Sequence, residues 1–78
     1  MRIKELQPNQ DFTLTVFTED GRKGVFDVKP YFQFPVFKEL EDFTEFKKTY
    51  NGGYFVEWEC GADLSADSIE AHLKELVH

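Results

Sequence analysis

From Phe12 to Phe17 the chain alternates, with Phe12, Leu14 and Val16 on one side and Thr13 and Thr15 on the other. A period of two marks a strand with one buried face. After Glu19-Asp20-Gly21 comes a second such run, Val25-Phe26-Asp27-Val28, so the two predict a hairpin. Its register follows from burial. A two-residue Asp20-Gly21 loop would set Leu14 against Asp27 and turn Phe26 and Val28 to the wrong face. A three-residue loop, with Glu19 and Asp20 in a type I turn and Gly21 left-handed, pairs Leu14 with Phe26 and Phe12 with Val28. One consistent apolar face outweighs the usual preference for two-residue Asp-Gly turns.

Arg2 to Leu6 reads as a short first strand, closed by the turn residues Gln7-Pro8-Asn9. Pro30-Tyr31-Phe32-Gln33-Phe34-Pro35 cannot continue a central strand, because neither proline donates a backbone hydrogen bond. Pro35 suits the first position of a helical turn through Phe37 and Leu40. Asp42 and Glu45 have the spacing of a capping box on a second short helix, which turns Phe43 and Phe46 inward with Leu40. Lys48-Thr49-Tyr50 and Tyr54 to Glu59 flank Asn51-Gly52-Gly53 as a second hairpin. In that hairpin Tyr54, Val56 and Trp58 share one face, leaving Phe55, Glu57 and Glu59 on the other.

Gly61-Ala62-Asp63-Leu64-Ser65 then reads as the joint where the sheet hands over to a last helix. Asp67 and Glu70 form a capping box there, with Ser65 a competing cap, and Ile69, Leu73, Leu76 and Val77 make one apolar stripe. The pattern is that of a small single α+β domain spanning residues 1–78. It has antiparallel β-hairpins of about five short strands, short central helices and a C-terminal helix packed on the sheet. No repeat, linker or low-complexity segment interrupts it.

Composition sharpens this picture. Cys60 is the only cysteine, so no internal disulfide forms, and His72 and His78 are too few for a zinc site. Nine Phe, three Tyr and one Trp must supply the core. The start of the chain is charged, no apolar run follows it, and Cys60 is free, which points to the cytoplasm and away from a membrane. The net charge of −6 lies wholly in residues 35–78, which hold four basic and ten acidic side chains. An acidic half repels phosphate backbones, which argues against direct nucleic-acid binding. It either solvates an aromatic-rich protein or docks a basic protein partner.

Candidate chemistry is thin, and no cofactor or metal site stands out. Glu57 and Glu59 lie two apart on one strand face, near the spacing of glycosidase carboxylates, but no pocket is implied around them. Ser68 and His72, with Glu75 nearby, lie off the apolar stripe, where a triad would sit in water. Cys60 has no cation beside it to stabilise a thiolate, so structural burial is the better reading. Asp63 is expected to hold backbone amides at the strand-to-helix joint, and Asp27 to do the same near Pro30.

Taken together, Asp20-Gly21, Asp27, Pro30, Phe37, Leu40, Asp42, Phe46, Trp58 and Gly61-Ala62-Asp63-Leu64 resemble the uncharacterised bacterial family known as domain of unknown function 2442. The resemblance covers nearly the whole chain. Glu59-Cys60 departs from it, since relatives often carry Pro or Asn before that glycine, and the C-terminal helix looks longer than in the shortest members. What the resemblance implies is a small α+β domain with two antiparallel hairpins, a terminal helix and no established activity. Similar domains are often encoded beside another small protein, in an arrangement resembling toxin–antitoxin pairs. Some are fused to a helix-turn-helix domain, which this chain lacks.

Function is therefore expected to be non-enzymatic: protein binding or regulation. The residues expected to contact a partner are Tyr31, Phe32 and Phe34 in an aromatic loop, and Phe55, Glu57 and Glu59 on the outward strand face. A weak homodimer through the same patch is the competing occupant. A small-ligand-binding domain that uses the 31–34 loop as a lid is the alternative, with an enzyme well behind.

Overall fold

In the computed structural model, which describes residues 1–76, the first hairpin forms in the register that burial demands. Strands β1 (Ile3–Pro8), β2 (Thr13–Thr18) and β3 (Lys23–Asp27) are antiparallel, and Leu14 pairs with Phe26. The turn is the three-residue one. Gly21 donates its N–H to the Thr18 carbonyl at 3.1 Å, Thr18 donates to Arg22 at 2.9 Å, and Gly21 has φ +89°. The Thr18 hydroxyl also donates to Asp20, which with Arg22 holds that carboxyl below the usual aspartate range.

Two details of this sheet differ from the sequence reading. β1 runs on through Gln7 and Pro8, which an edge strand tolerates. Phe12 lies outside β2 at φ +64°, a conformation costly for a residue with a Cβ. Its carbonyl accepts from Val28, and its ring packs edge-on against Phe32, Phe43 and Phe46. That aromatic packing offsets the backbone strain.

Between the sheets, the chain winds through two 3₁₀ helices, Lys29–Gln33 and Pro35–Glu41, and a short helix α1 (Phe43–Phe46). Tyr31, Phe34, Phe37, Leu40, Phe43 and Phe46 recur every third residue, the period that stacks side chains along a 3₁₀ helix. The 31–34 segment is thus wound, not a loose loop. Pro35 takes the first helical position as expected, and Asp42 caps α1 by accepting from Thr44 N–H at 3.0 Å. The reciprocal half of the capping box is missing. The Asp42 N–H already donates to Glu39, and Glu45 turns instead to the Lys48 ammonium at 3.2 Å.

The second sheet is β4 (Thr49–Asn51), β5 (Phe55–Trp58) and β6 (Asp63–Ser65), in that order. β6 is absent from the sequence reading. It arises because Glu59-Cys60-Gly61 repeats the turn of Glu19-Asp20-Gly21. Gly61 donates to Trp58 at 2.9 Å, Trp58 donates to Ala62 at 2.8 Å, and Gly61 has φ +99°. The Asn51-Gly52-Gly53 turn joins the sheets, with Asn51 Nδ2 donating to the Ile3 carbonyl and Ile3 N–H to Gly53.

Ser65, not Asp67, caps α2 (Ala66–His72), accepting from Ser68 N–H at 3.1 Å. The helix is shorter than its apolar stripe suggests. Ile69 is buried, but the chain turns extended at Leu73, and Lys74–Glu75 form β7 on the free edge of β3. Leu73 covers Gly24, where a Cβ would lie 2.6 Å from the leucine side chain. Leu76 is exposed, and Val77 lies outside the described residues.

Trp58 is core, 1% exposed, between Phe37 and Phe46 with ring centroids 6.2 and 6.1 Å away. Its indole N–H donates to the Phe46 carbonyl at 2.9 Å. Two outcomes follow for chemical denaturation. Trp58→Ala should lose about 3–5 kcal/mol through the cavity it leaves. Trp58→Phe, which orphans the buried Phe46 carbonyl, should lose about 1–3 kcal/mol. Gly21→Ala should cost about 1–2 kcal/mol from backbone strain alone, since nothing lies within 4 Å of the added Cβ. An alanine variant that unfolds at the wild-type midpoint would refute the left-handed turn.

Candidate functional site

The residues singled out for partner binding fall into two groups on different elements. Phe55 and Glu57 lie on the outer face of β5, whose inner residues Val56 and Trp58 are buried. Glu59 follows just beyond the strand and is exposed. Across the sheet, Tyr50, Glu57 and Asp63 stand in one row and Phe55 and Ser65 in the next. Paired residues project to the same face, so this surface carries two aromatic rings beside two carboxylates.

Tyr50 is 56% exposed and Phe55 45%. The Phe55 ring lies over the turn: a Cβ on Gly52 would come within 2.3 Å of it. Glycine at that position leaves room for the ring to approach the backbone. Tyr54 is not on the inner face, as the alternation suggested. β5 begins one residue later, and Tyr54 is exposed, with the Arg2 guanidinium 5.3 Å from its ring centroid.

Charges on this face are unevenly satisfied. Glu59 N–H donates to the Lys48 carbonyl, and the Lys48 ammonium is engaged by Glu45. The Glu45 hydrogen bond and charge, then the Glu59 charge, raise the Lys48 pKa. Among the described residues the ion pairs include none from Glu57, Glu59 or Asp63. Asp63 was expected to fix backbone amides, but it is exposed in β6 opposite Glu57, and Ser65 does the capping. A carboxylate missed as a surface group thus joins the acidic row. Only recognition of β6 would have placed it there.

The second group does not form a loose aromatic lid. Tyr31 is half-buried, its ring 5.8 Å from Phe26 and 5.4 Å from Phe37. Phe32 is half-buried against Phe12, and Phe34 alone of the three is exposed, at 48%. Beside them is a cleft of about 420 Å³ lined by Asp27, Pro30, Tyr31, Gln33, Phe34 and His72. Asp27 fixes the backbone as expected, accepting from Lys29 N–H at 2.9 Å.

The remaining candidates do not assemble. The Ser68 hydroxyl accepts from Ser65, while Glu75 lies in β7 within reach of Arg22 at 3.6 Å. Cys60 is half-buried in the β5–β6 turn and packs against the core. Among the described residues no three of His, Cys, Asp and Glu converge to hold a metal ion, and no helix is long and apolar enough to cross a membrane.

Comparison with known proteins adds one finding to this geometry. Neither curated proteins nor solved structures return a match. The family model described as protein of unknown function (DUF2442) matches residues 3–75, spanning both sheets, the aromatic 3₁₀ segment and α2. The chain belongs to this family of proteins of unknown function.

Proposed function

We propose that the domain is a non-enzymatic protein-binding or regulatory module that docks a basic protein partner on the outer face of the β4–β6 sheet, as one half of a two-protein unit. The observation that carries this reading is the direct opposition of Glu57 and Asp63 on neighbouring strands, with neither carboxylate paired to a cation among the described residues. Like charges across a strand pair cost roughly 0.2–1 kcal/mol. An approaching Lys or Arg would relieve that repulsion.

Tyr50 and Phe55 supply what the carboxylates lack. Exposed rings beside a charged rim are the usual composition of an interface centre, where aromatic groups carry affinity and charges steer encounter. A second copy of the chain would bring the same acidic rows together, which weighs against a homodimer through this face. A phosphate backbone would meet the same repulsion.

Two measurements test the reading. In co-purification from the native cell read by mass spectrometry, the wild-type chain should recover a basic protein, less of it as salt rises. The Glu57→Lys/Glu59→Lys variant should recover at least tenfold less while still folding with a cooperative melting transition. Equal recovery of the same partner with the same salt sensitivity would remove the acidic face from the function. Independently, Asp63→Asn should raise stability by a few tenths of a kcal/mol at low salt. The gain should vanish near 1 M salt, where screening acts over about 3 Å. No gain at low salt would mean that Glu57 and Asp63 do not repel one another.

A further inference from the structure

We infer that the cleft between the 26–34 segment and the end of α2 is a second binding site, built for a guanidinium group. Its apolar lining is Phe26, Pro30 and the rings of Tyr31 and Phe34. The two rings are 6.3 Å apart between centroids and inclined at 51°. At about 420 Å³ the space lies in the range of small-ligand pockets, roughly 300–1,000 Å³.

The cleft offers two unengaged acceptors. Asp27 Oδ1 accepts from the Lys29 N–H at 2.9 Å and forms an ion pair with the Lys29 ammonium at 3.0 Å, leaving Oδ2 without a partner among the described residues. That ammonium is shared, since it also donates to the Asp11 carbonyl at 2.9 Å. The Gln33 amide nitrogen donates to the Pro30 carbonyl at 3.1 Å, so its oxygen remains an acceptor. His72 completes the lining. A guanidinium brings donors and no acceptor, is weakly hydrated, and stacks on aromatic faces. An ammonium offers no flat face to the Tyr31 and Phe34 rings and gives up its hydration less readily.

The site is also preformed. Tyr31 is held by Phe26 and Phe37, Phe34 N–H donates to the Tyr31 carbonyl at 3.0 Å, and the Asp27 carboxylate is aimed by the Lys29 N–H. Little ordering remains to oppose binding. None of Tyr50, Phe55, Glu57 or Asp63 lines this cleft, so it stands apart from the sheet face.

The test is an amide-resolved NMR titration of the full chain with N-acetyl-arginine amide, N-acetyl-lysine amide and a short peptide whose only charged side chain is one arginine. The arginine compounds should shift Asp27, Tyr31, Phe34 and His72 saturably, with a Kd on the order of 1 mM. The lysine compound should bind at least fivefold more weakly. Asp27→Asn, which keeps the acceptor for Lys29 N–H, and Phe34→Ala, at an exposed position, should each weaken the arginine response at least fivefold. Tighter binding of the peptide than of the amide would mark a partner's arginine as the occupant, and equal binding a free guanidinium compound. Retention of the response in the Glu57→Lys/Glu59→Lys variant would separate this site from the sheet face. Absence of shifts, equal response to lysine, indifference to Asp27→Asn, or shifts confined to Tyr50, Phe55 and Glu57 would each overturn the inference.

Discussion

The Trp58 side chain couples the two sheets, and the rest of the fold is arranged to receive it. Its ring meets Phe37 and Phe46. Phe37 touches Tyr31, which packs on Phe26 of β3, while Phe46 touches Phe12 at the entrance to β2. An unbroken line of rings therefore runs from one sheet to the other through the 3₁₀ segment. Rings of this size each bury about 150–250 Å², more apolar surface than aliphatic side chains could bring to so short a chain. The one polar atom of Trp58 is satisfied by the Phe46 carbonyl at 2.9 Å, so its burial carries no unpaired donor. With a single cysteine there is no covalent staple in the chain, and aromatic packing takes that part.

Where burial discriminated between alternatives, the sequence was legible. The register of the first hairpin follows from refusing to expose Phe26, and the outward placement of Phe55 and Glu57 follows from the inward demand of Val56 and Trp58. Legibility failed where a pattern served two structures equally well. Leu73 points inward whether the helix continues or the chain turns extended, and pairing with the open edge of β3 decided for the latter. The every-third-residue stripe from Tyr31 to Phe46 matches neither a strand nor an α-helix, so its first half read as loop. β6 had a signal in plain view. Glu-x-Gly after a strand had already been read as a bulged hairpin at Glu19, and the same pattern at Glu59 makes the same turn.

The candidate site was half visible for the same reason. Tyr31 and Phe32 counted as surplus rings only while their partners Phe26, Phe37 and Phe12, distant in sequence or across a turn, were unknown. Asp63 reads as a residue that holds backbone amides at the joint while the segment around it has no strand partner. Once β6 is in place, Asp63 faces Glu57, and a residue assigned to backbone geometry becomes part of a surface. Side-chain roles at a joint depend on the elements the joint connects, and a single misplaced element reassigns them.

Net charge hides a division that the structure makes plain. Of the carboxylates in the last third of the chain, Glu70 and Glu75 converge on Arg22, which Asp20 also reaches. Hydrogen bonds from Arg22 to Glu70 and Asp20 push its pKa further up, and its single charge offsets part of the three carboxylates around it. Such exposed pairs add little to stability, about 0–1 kcal/mol each, but they reduce what those acids contribute to the long-range field. Among the described residues Glu57, Glu59 and Asp63 form no ion pair, and Lys48, whose charge Glu59 feels, is already engaged by Glu45. Pure solubility would be served by acids on any exposed position, and it gives no reason to set two of them opposite one another on a sheet. The arrangement retains a small repulsion in the isolated domain, and a cationic surface turns that same repulsion into attraction. The acidic excess of the chain therefore includes two unlike groups, one gathered around Arg22 and one left facing outward beside Tyr50 and Phe55.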